Sequence, residues 1–120
     1  PVEDPATGDE LAAVADGGPG DALDALGAAA AAQPPWSARP PRERAEALRA
    51  LFEEMRAARE RLALLLTLEM GKPLAESREE VDYAAEYLRW FAEEAVRIEG
   101  GYAPSPDGRS RALVMKAPAG

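Results

Sequence analysis

Apolar residues recur at three- and four-residue steps through the middle of the chain. The apolar positions between residues 45 and 55 share one face of a helical wheel: Ala45, Leu48, Leu51, Phe52 and Met55. This spacing predicts an amphipathic helix, and Pro40-Pro41 suits its beginning because proline is tolerated at the first helical position. Residues 56–61 lack large apolar side chains, so we predict a bend there. The stripe then resumes until Gly71, a predicted carboxyl-terminal cap.

A second long helix is predicted from Leu74 to Glu99, directly after Pro73, and its residues sort into three faces. An apolar face holds Val81, Ala84, Leu88, Ala92, Ala95 and Ile98. A charged face holds Asp82, Glu86, Arg89, Glu93 and Arg97, and the remaining flank holds Tyr83, Tyr87, Trp90 and Glu94. The apolar arc spans about 220°, wider than the stripe of a surface helix. The helix therefore either touches two bodies of protein or lies deep in one core, and the spacing leaves both open.

The two ends of the chain show weaker patterns. An alanine-rich run predicts a helix from Asp21 to Gln33, which we expect Pro34-Pro35 to stop. Short apolar runs at residues 11–14 and 111–116 predict two strands. Two short strands do not make a stable sheet by themselves, so we expect their partners outside these 120 residues.

The composition narrows the classes of function. A net charge of -8 and a pI near 4.6 argue against a nucleic-acid partner, because a phosphate backbone attracts clustered Lys and Arg. No apolar run approaches the roughly 18 residues needed to span a membrane, and we expect a cytoplasmic protein. The chain contains no cysteine and no histidine, which removes the thiolate nucleophile and the commonest general base near neutral pH. We therefore assign no catalytic residue.

Three segments carry a specific resemblance to a known family. They are LLTLEMGKPL at residues 65–74, EVDYAA at residues 80–85 and LRWFAEE at residues 88–94. With the opening DPATG and the closing VMKAPAG, they closely resemble the aldehyde dehydrogenase superfamily. MGKPLAE and WFAEE are most similar to its succinate-semialdehyde branch. The resemblance implies an α/β fold in which residues 1–120 form the amino-terminal, mainly helical part of the NAD(P)-binding domain, with two short strands and incomplete as a domain.

The resemblance also implies an activity for the whole enzyme. Family members oxidise a small aldehyde to the corresponding acid with NAD or NADP. The similarity to the succinate-semialdehyde branch implies succinate semialdehyde as the substrate. They use a cysteine thiolate, a water activated by glutamate, and an asparagine at the oxyanion. In the family those residues and the cofactor-binding strands lie downstream of Gly120, so no catalytic or cofactor-binding residue is carried onto this chain. We expect the 120 residues alone to be inactive and the full-length protein to be a homo-oligomer.

Two sets of residues match family positions close to the function. Tyr83 matches a position on the wall of the substrate tunnel, and Tyr87 and Trp90 share its flank of the helix. Glu69 matches an acidic position beside a monovalent cation, where the carbonyls of Val2 and Glu3 would contribute. Other members have Asp at the Glu69 position, and many show no ion.

One alternative function stands beside the enzyme fragment. The chain could be a stand-alone helical interaction module derived from this fold, binding partners through Tyr83, Tyr87 and Trp90. The two predicted strands argue against a module, because an independent domain protects exposed strand edges with charge or proline. The apolar run at residues 113–115 is instead suited to pairing.

Overall fold

The computed structural model describes residues 1–119. The elements in chain order are β1 (Val2–Glu3), β2 (Glu10–Ala12), α1 (Pro19–Ser37), α2 (Pro41–Ala57), α3 (Arg59–Met70), α4 (Leu74–Glu94), β3 (Gly101–Pro104) and β4 (Arg111–Val114). The predicted mainly helical α/β class is confirmed.

Helices α2 and α3 are two parts of the predicted amphipathic segment. Ala58 (φ -88°, ψ 5°) separates them, which places a break inside the predicted bend. α3 ends at Gly71, whose φ of 71° is left-handed and whose N–H donates to the carbonyl of Thr67 at 2.9 Å. Glycine adopts this conformation without the steric cost of a Cβ. The predicted bend and the predicted cap are both confirmed.

The core lies where α4 packs against α2 and α3. Its buried side chains are all small or medium in size: Ala45, Ala63, Ser77, Val81, Ala85 and Ala92. The hydroxyl of Ser77 is hydrogen-bonded to that of Thr67, with the two oxygens 2.9 Å apart, which offsets the cost of burying this polar group. Alanine at Ala63 and Ala85, both fully buried, lets the helices approach closely but buries little area.

The α4 helix is shorter than the sequence predicted. It ends at Glu94 instead of Glu99. The N–H of Arg97 donates to the carbonyl of Glu94 at 2.9 Å, which forms a turn in place of another helical turn. Gly100 then leads into β3, and a Cβ at Gly100 would collide with the carbonyl oxygen of Val114. The close approach of the two backbones therefore requires glycine at this position.

Helix α1 contradicts the expectation that Pro34-Pro35 stops it. Both prolines lie inside the helix, which continues to Ser37. A proline loses its N–H but keeps its carbonyl, and the carbonyl of Pro34 accepts from the N–H of Ala38 at 3.1 Å and from the Ser37 hydroxyl at 2.9 Å. These bonds close the last turn. None of the residues of α1 is buried.

The strands correct a second expectation. β2 and β4 are the two predicted strands, but β1 and β3 were missed and supply their partners within the chain. β1 pairs antiparallel with β2, and β3 pairs antiparallel with β4 in a register of Gly101 with Val114 and Pro104 with Arg111. Each pair is a two-stranded hairpin. The argument from unpaired strands against a stand-alone module is therefore wrong.

The described chain is elongated. Its extents are 71 × 36 × 27 Å and its radius of gyration is 21.0 Å, whereas a compact domain of this length has a radius of gyration of about 14 Å. Within residues 1–119, no helix combines the length and the apolar run that crossing a membrane requires.

Candidate functional site

The α4 helix presents two opposite faces. The face toward α2 and α3 holds Val81, Ala85 and Ala92, which are at most 8% exposed. The opposite face holds Tyr83, Tyr87 and Trp90, which are 64%, 50% and 63% exposed. An amphipathic surface helix presents polar residues on the side away from its core. The aromatic residues on that side of α4 therefore form an exposed apolar patch, the kind that marks a contact with protein or ligand.

The aromatic residues line a shallow cleft of about 300 Å³. Its lining is Tyr83, Glu86, Tyr87, Trp90 and Phe91. The structure thus brings together all three of the predicted tunnel residues. The sequence analysis missed Phe91, although it lies four residues after Tyr87 and so shares a helix edge with it.

The two tyrosines of this cleft contact each other. Their rings meet edge to face, with centroids 5.1 Å apart, and their hydroxyl oxygens lie 2.5 Å apart. The hydrogen bond with Tyr83 raises the pKa of the Tyr87 hydroxyl above its ordinary value. Tyr87 is therefore a neutral phenol near pH 7, able to donate or accept a hydrogen bond but not to act as a base.

A ladder of charged side chains joins the start of α3 to α4. Asp82 accepts two hydrogen bonds from Arg59, from Nε at 2.8 Å and from Nη2 at 2.7 Å. Arg59 also donates to Glu60 at 2.8 Å, and Glu60 accepts from Nε and Nη2 of Arg78. We call these four residues the Asp82–Arg59–Glu60–Arg78 ladder. Paired bonds of this type fix geometry as well as charge.

The ladder shifts the pKa values of its members. Hydrogen bonds from Arg59 lower the pKa of Asp82, and hydrogen bonds from Arg78 lower the pKa of Glu60. The hydrogen bond to Asp82 raises the pKa of Arg59. Asp82, Glu60 and Arg59 are therefore charged near neutral pH. No local sequence pattern indicates this ladder, because Arg59 and Asp82 are 23 residues apart.

The predicted cation residues lie at the end of α3 and in the amino-terminal hairpin. Glu69 is exposed in the last turn of α3, and a Cβ on Gly71 would lie 3.0 Å from Cγ of Pro5, which follows β1. The hairpin that contains Val2 and Glu3 thus touches the end of α3. No described contact joins Glu69 to the carbonyls of Val2 and Glu3, so the cation site stays a prediction. Among residues 1–119, no group of three or more acidic, histidine or cysteine side chains is placed to hold a metal ion.

The glycine-rich stretch at residues 17–20 does not fit a nicotinamide dinucleotide. It leads into α1, but β2 ahead of it belongs to an antiparallel hairpin. Dinucleotide binding of this kind uses a parallel βαβ unit with the pyrophosphate at the helix start. At the start of α1, the carboxylate of Asp21 already accepts from the N–H of Gly18 at 2.8 Å. Its negative charge would repel a pyrophosphate.

Comparisons with known proteins agree on one family. The sequence matches the aldehyde dehydrogenase family over residues 1–120. The succinate-semialdehyde dehydrogenase of Paenarthrobacter nicotinovorans is 53% identical over 110 residues, which is 92% of this chain and 24% of that protein. The NADP(+) succinate-semialdehyde dehydrogenase of Escherichia coli (strain K12) is 44% identical over 119 residues, covering 99% of this chain and 25% of that protein.

A solved structure agrees with the sequence relatives. The crystal structure of succinate-semialdehyde dehydrogenase from Burkholderia pseudomallei superposes with a TM-score of 0.88 at 44% identity, covering 93% of this chain and 23% of that one. The chain thus spans about a quarter of the length of these relatives. These relatives lend no support to a stand-alone interaction module. With a match along its whole length and relatives at this level of identity, the chain belongs to the aldehyde dehydrogenase family of oxidoreductases.

Proposed function

We propose that residues 1–120 are the amino-terminal helical part of an NAD(P)-dependent dehydrogenase that oxidises succinate semialdehyde to succinate. In this proposal the segment is a scaffold and lines the substrate route, and it has no activity by itself. The nucleophile, the general base and the cofactor site belong to other parts of the enzyme. The names of the relatives at 53% and 44% identity support the substrate and, in one of them, the cofactor NADP.

The surface area of the chain carries this proposal. The described chain exposes 9376 Å², whereas a compact monomer of 12.8 kDa exposes about 6,300 Å². The difference, about 3,000 Å², is larger than the roughly 800 Å² that one partner buries in an interface of standard size. A scaffold segment needs such a surface, because it packs against the rest of its domain and, in a homo-oligomer, against a second subunit.

The aromatic face of α4 supports a role at the substrate route. Tyr83, Tyr87 and Trp90 lie opposite the core face, and rings with polar tips suit a surface that is partly apolar and partly wet. In the full-length enzyme we place this face against the path that the aldehyde follows to the nucleophile. The neutral hydroxyl of Tyr87 can hydrogen-bond the substrate without reacting with its aldehyde.

The proposal includes a monovalent cation beside Glu69 and the carbonyls of Val2 and Glu3. The last carbonyls of a helix lack partners within the helix and carry partial negative charge, and Glu69 adds a carboxylate at the end of α3. Replacing Glu69 with alanine removes that charge. We expect the variant to lose the dependence of thermal stability on potassium or sodium, and an unchanged dependence overturns this part of the proposal.

Enzyme assays test the main proposal. The full-length protein and the 120-residue chain are each supplied with NAD or NADP and with succinate semialdehyde or butanal, an aldehyde of equal length without the carboxylate. We expect oxidation only by the full-length protein, with kcat/KM at least about tenfold higher for succinate semialdehyde. Equal or better use of butanal overturns the substrate assignment. Activity of the 120 residues alone overturns the scaffold role.

A further inference from the structure

The ion pairs that join different elements of the chain are concentrated at one place. Within residues 1–119 the pairs between two helices are Arg59 with Asp82, Arg56 with Asp82 and Arg78 with Glu60, and Lys72 in the loop before α4 pairs with Glu80. Every one of them ends on residues 78–82 of α4. The pairs of the aromatic half of α4, Glu86 with Arg89 and Glu94 with Arg97, stay within that part of the chain. The ion pairs that tie α4 to its neighbours therefore lie directly before Tyr83, and after it Arg89 lies over the ring of Phe52 in α2, 5.9 Å from the ring centroid.

The side chains buried at this part of the α4 interface are small, so apolar packing alone restrains the rotation of α4 only weakly. The buried side chains around this part of α4 are Ala63, Ser77, Val81 and Ala85. Helices fix their relative position by fitting ridges of side chains into grooves, and alanine and serine make shallow ridges. These small side chains bury little area, so they contribute little apolar stabilisation to this part of the α4 interface. Directional polar contacts can set the register of such an interface.

The ladder has the geometry needed to fix that rotation. Arg59 meets Asp82 through two parallel bonds, one to each carboxylate oxygen. Arg78, one helical turn before Asp82, donates to Glu60 from Nε and Nη2, both to the same oxygen. Two arginine–carboxylate contacts one turn apart resist both sliding and rotation of α4. The side chains of Arg59, Asp82 and Arg78 are only 32–38% exposed, so solvent screens them less than a fully exposed pair.

Asp82 is the neighbour of Tyr83 in sequence, so its restraint acts at the aromatic face. A rotation of α4 by about 20° moves an atom about 6 Å from the helix axis by about 2 Å. Displacements of about 1 Å at a substrate-positioning group are large enough to change rates. A contact that fixes the position of Asp82 therefore limits the displacement of the Tyr83 and Tyr87 hydroxyls.

We infer that Arg59 and Asp82 are positioning residues, which act through the rotation of α4 to place Tyr83 and Tyr87 on the substrate route. This inference rests on the proposed function, since it needs the aromatic face to meet the substrate. Neither Arg59 nor Asp82 touches the substrate in this account. Their removal changes substrate binding through the tyrosines.

The test uses the full-length enzyme with Asp82→Asn, Arg59→Gln and the double variant. We expect each single change to raise KM for succinate semialdehyde by about three- to tenfold with kcat within about twofold, and the double variant to match the singles because both break one contact. Asp82→Glu keeps the carboxylate and should restore KM at least in part. Arg49→Gln is the control, since Arg49 pairs within α2 with Glu53, and its KM should stay at the parent value.

Two outcomes overturn the inference. If Asp82→Asn and Arg59→Gln lower the melting temperature but leave KM unchanged, the ladder only stabilises the fold. If the double variant raises KM by the product of the single effects, the two residues do not act as one contact. Should Asp82→Asn fail to fold, Arg59→Lys replaces it, because lysine keeps the charge but cannot make two parallel bonds. An intermediate rise in KM is then expected, and no rise contradicts the inference.

A further variant separates this inference from the proposed function. Tyr83→Ala removes the aromatic wall directly and should raise KM. If it does so while the ladder variants do not, the positioning role fails and the proposed function stands. If Tyr83→Ala leaves KM unchanged, the aromatic face does not meet the substrate, and both fail together.

Discussion

The α2–α3–α4 unit and helix α1 are both helical, but different forces hold them. All the buried residues of residues 1–119 lie in the α2–α3–α4 unit, where α4 contacts both of its neighbours. α1 has 19 residues and none of them is buried. Its run of five alanines favours helix strongly but offers little surface to bury. Helical propensity therefore forms a helix here without anchoring it, since most helical stability in proteins comes from tertiary packing.

The largest expected effect tests that difference with one kind of substitution at two places. Ala85→Asp puts an unpaired carboxylate at a fully buried position of the α2–α3–α4 unit, which should cost at least about 3 kcal/mol. Leu23→Asp puts the same group on α1, where Leu23 is 69% exposed, and should change stability by less than about 0.5 kcal/mol. Urea unfolding of the 120-residue chain, followed by circular dichroism, measures both.

The same pair of variants in the full-length enzyme sharpens the comparison. There the proposed packing covers the exposed apolar residues of α1, so Leu23→Asp should become destabilising while Ala85→Asp remains so. Equal unfolding midpoints for the parent and Ala85→Asp in the short chain contradict a packed α2–α3–α4 unit. If Leu23→Asp leaves the stability of the full-length enzyme unchanged, the apolar residues of α1 are not covered in that enzyme.

A medium effect is expected where the amino-terminal hairpin touches the helical unit. Gly71→Ala places a Cβ at a φ of 71° and 3.0 Å from Cγ of Pro5, and should cost about 1 to 2 kcal/mol. Gly108 has a φ of 72° with no atom near its Cβ position, so Gly108→Ala is a matched control that carries only the backbone strain. The difference between the two unfolding free energies measures the Pro5 contact. No difference means that the hairpin is not docked.

Several parts of this fold follow from local sequence signals. The break between α2 and α3 lies where large apolar residues are missing, and Gly71 ends α3 because only a few residue types tolerate its conformation. The cleft residues Tyr83, Tyr87 and Trp90 were found together because helical spacing places them on one flank. These features depend on neighbours within a few residues, which is the range that a sequence pattern reports.

The features that the sequence analysis missed depend on contacts between distant residues or, at Pro34-Pro35, on a local hydrogen bond that outweighs the tendency of proline to end a helix. β1 and β3 are too short and too mixed in composition to show an alternating pattern, and each exists because a second strand pairs with it. Pro34-Pro35 failed to stop α1 because the carbonyl of Pro34 still closes the final turn. The contact between Arg59 and Asp82 needs the packing of α3 on α4 before it exists. No local pattern could predict that contact.

The smallest expected effect is the dependence of stability on pH, which sharpens the comparison by asking how much the ladder adds to the α2–α3–α4 unit. Folding lowers the pKa values of Asp82 and Glu60, and unfolded carboxylates titrate near about pH 4. A carboxylate with a lowered pKa in the folded state contributes stability that is present above its unfolded value and is lost as the pH falls through its folded value. The raised pKa of Arg59 affects only strongly alkaline solutions, so the ladder contribution should be flat around neutral pH. The contribution is small, because solvent screens side chains that are about a third or more exposed.

Urea midpoints measured from about pH 3 to about pH 7 should fall on the acid side in the parent and fall less in the Asp82→Asn, Glu60→Gln double variant. Asp24→Asn on α1 is the control and should follow the parent, because α1 contributes no ion pair to the helical unit among the described residues. If the urea midpoints of the parent and the double variant fall equally as the pH is lowered, apolar packing alone holds α4 in place.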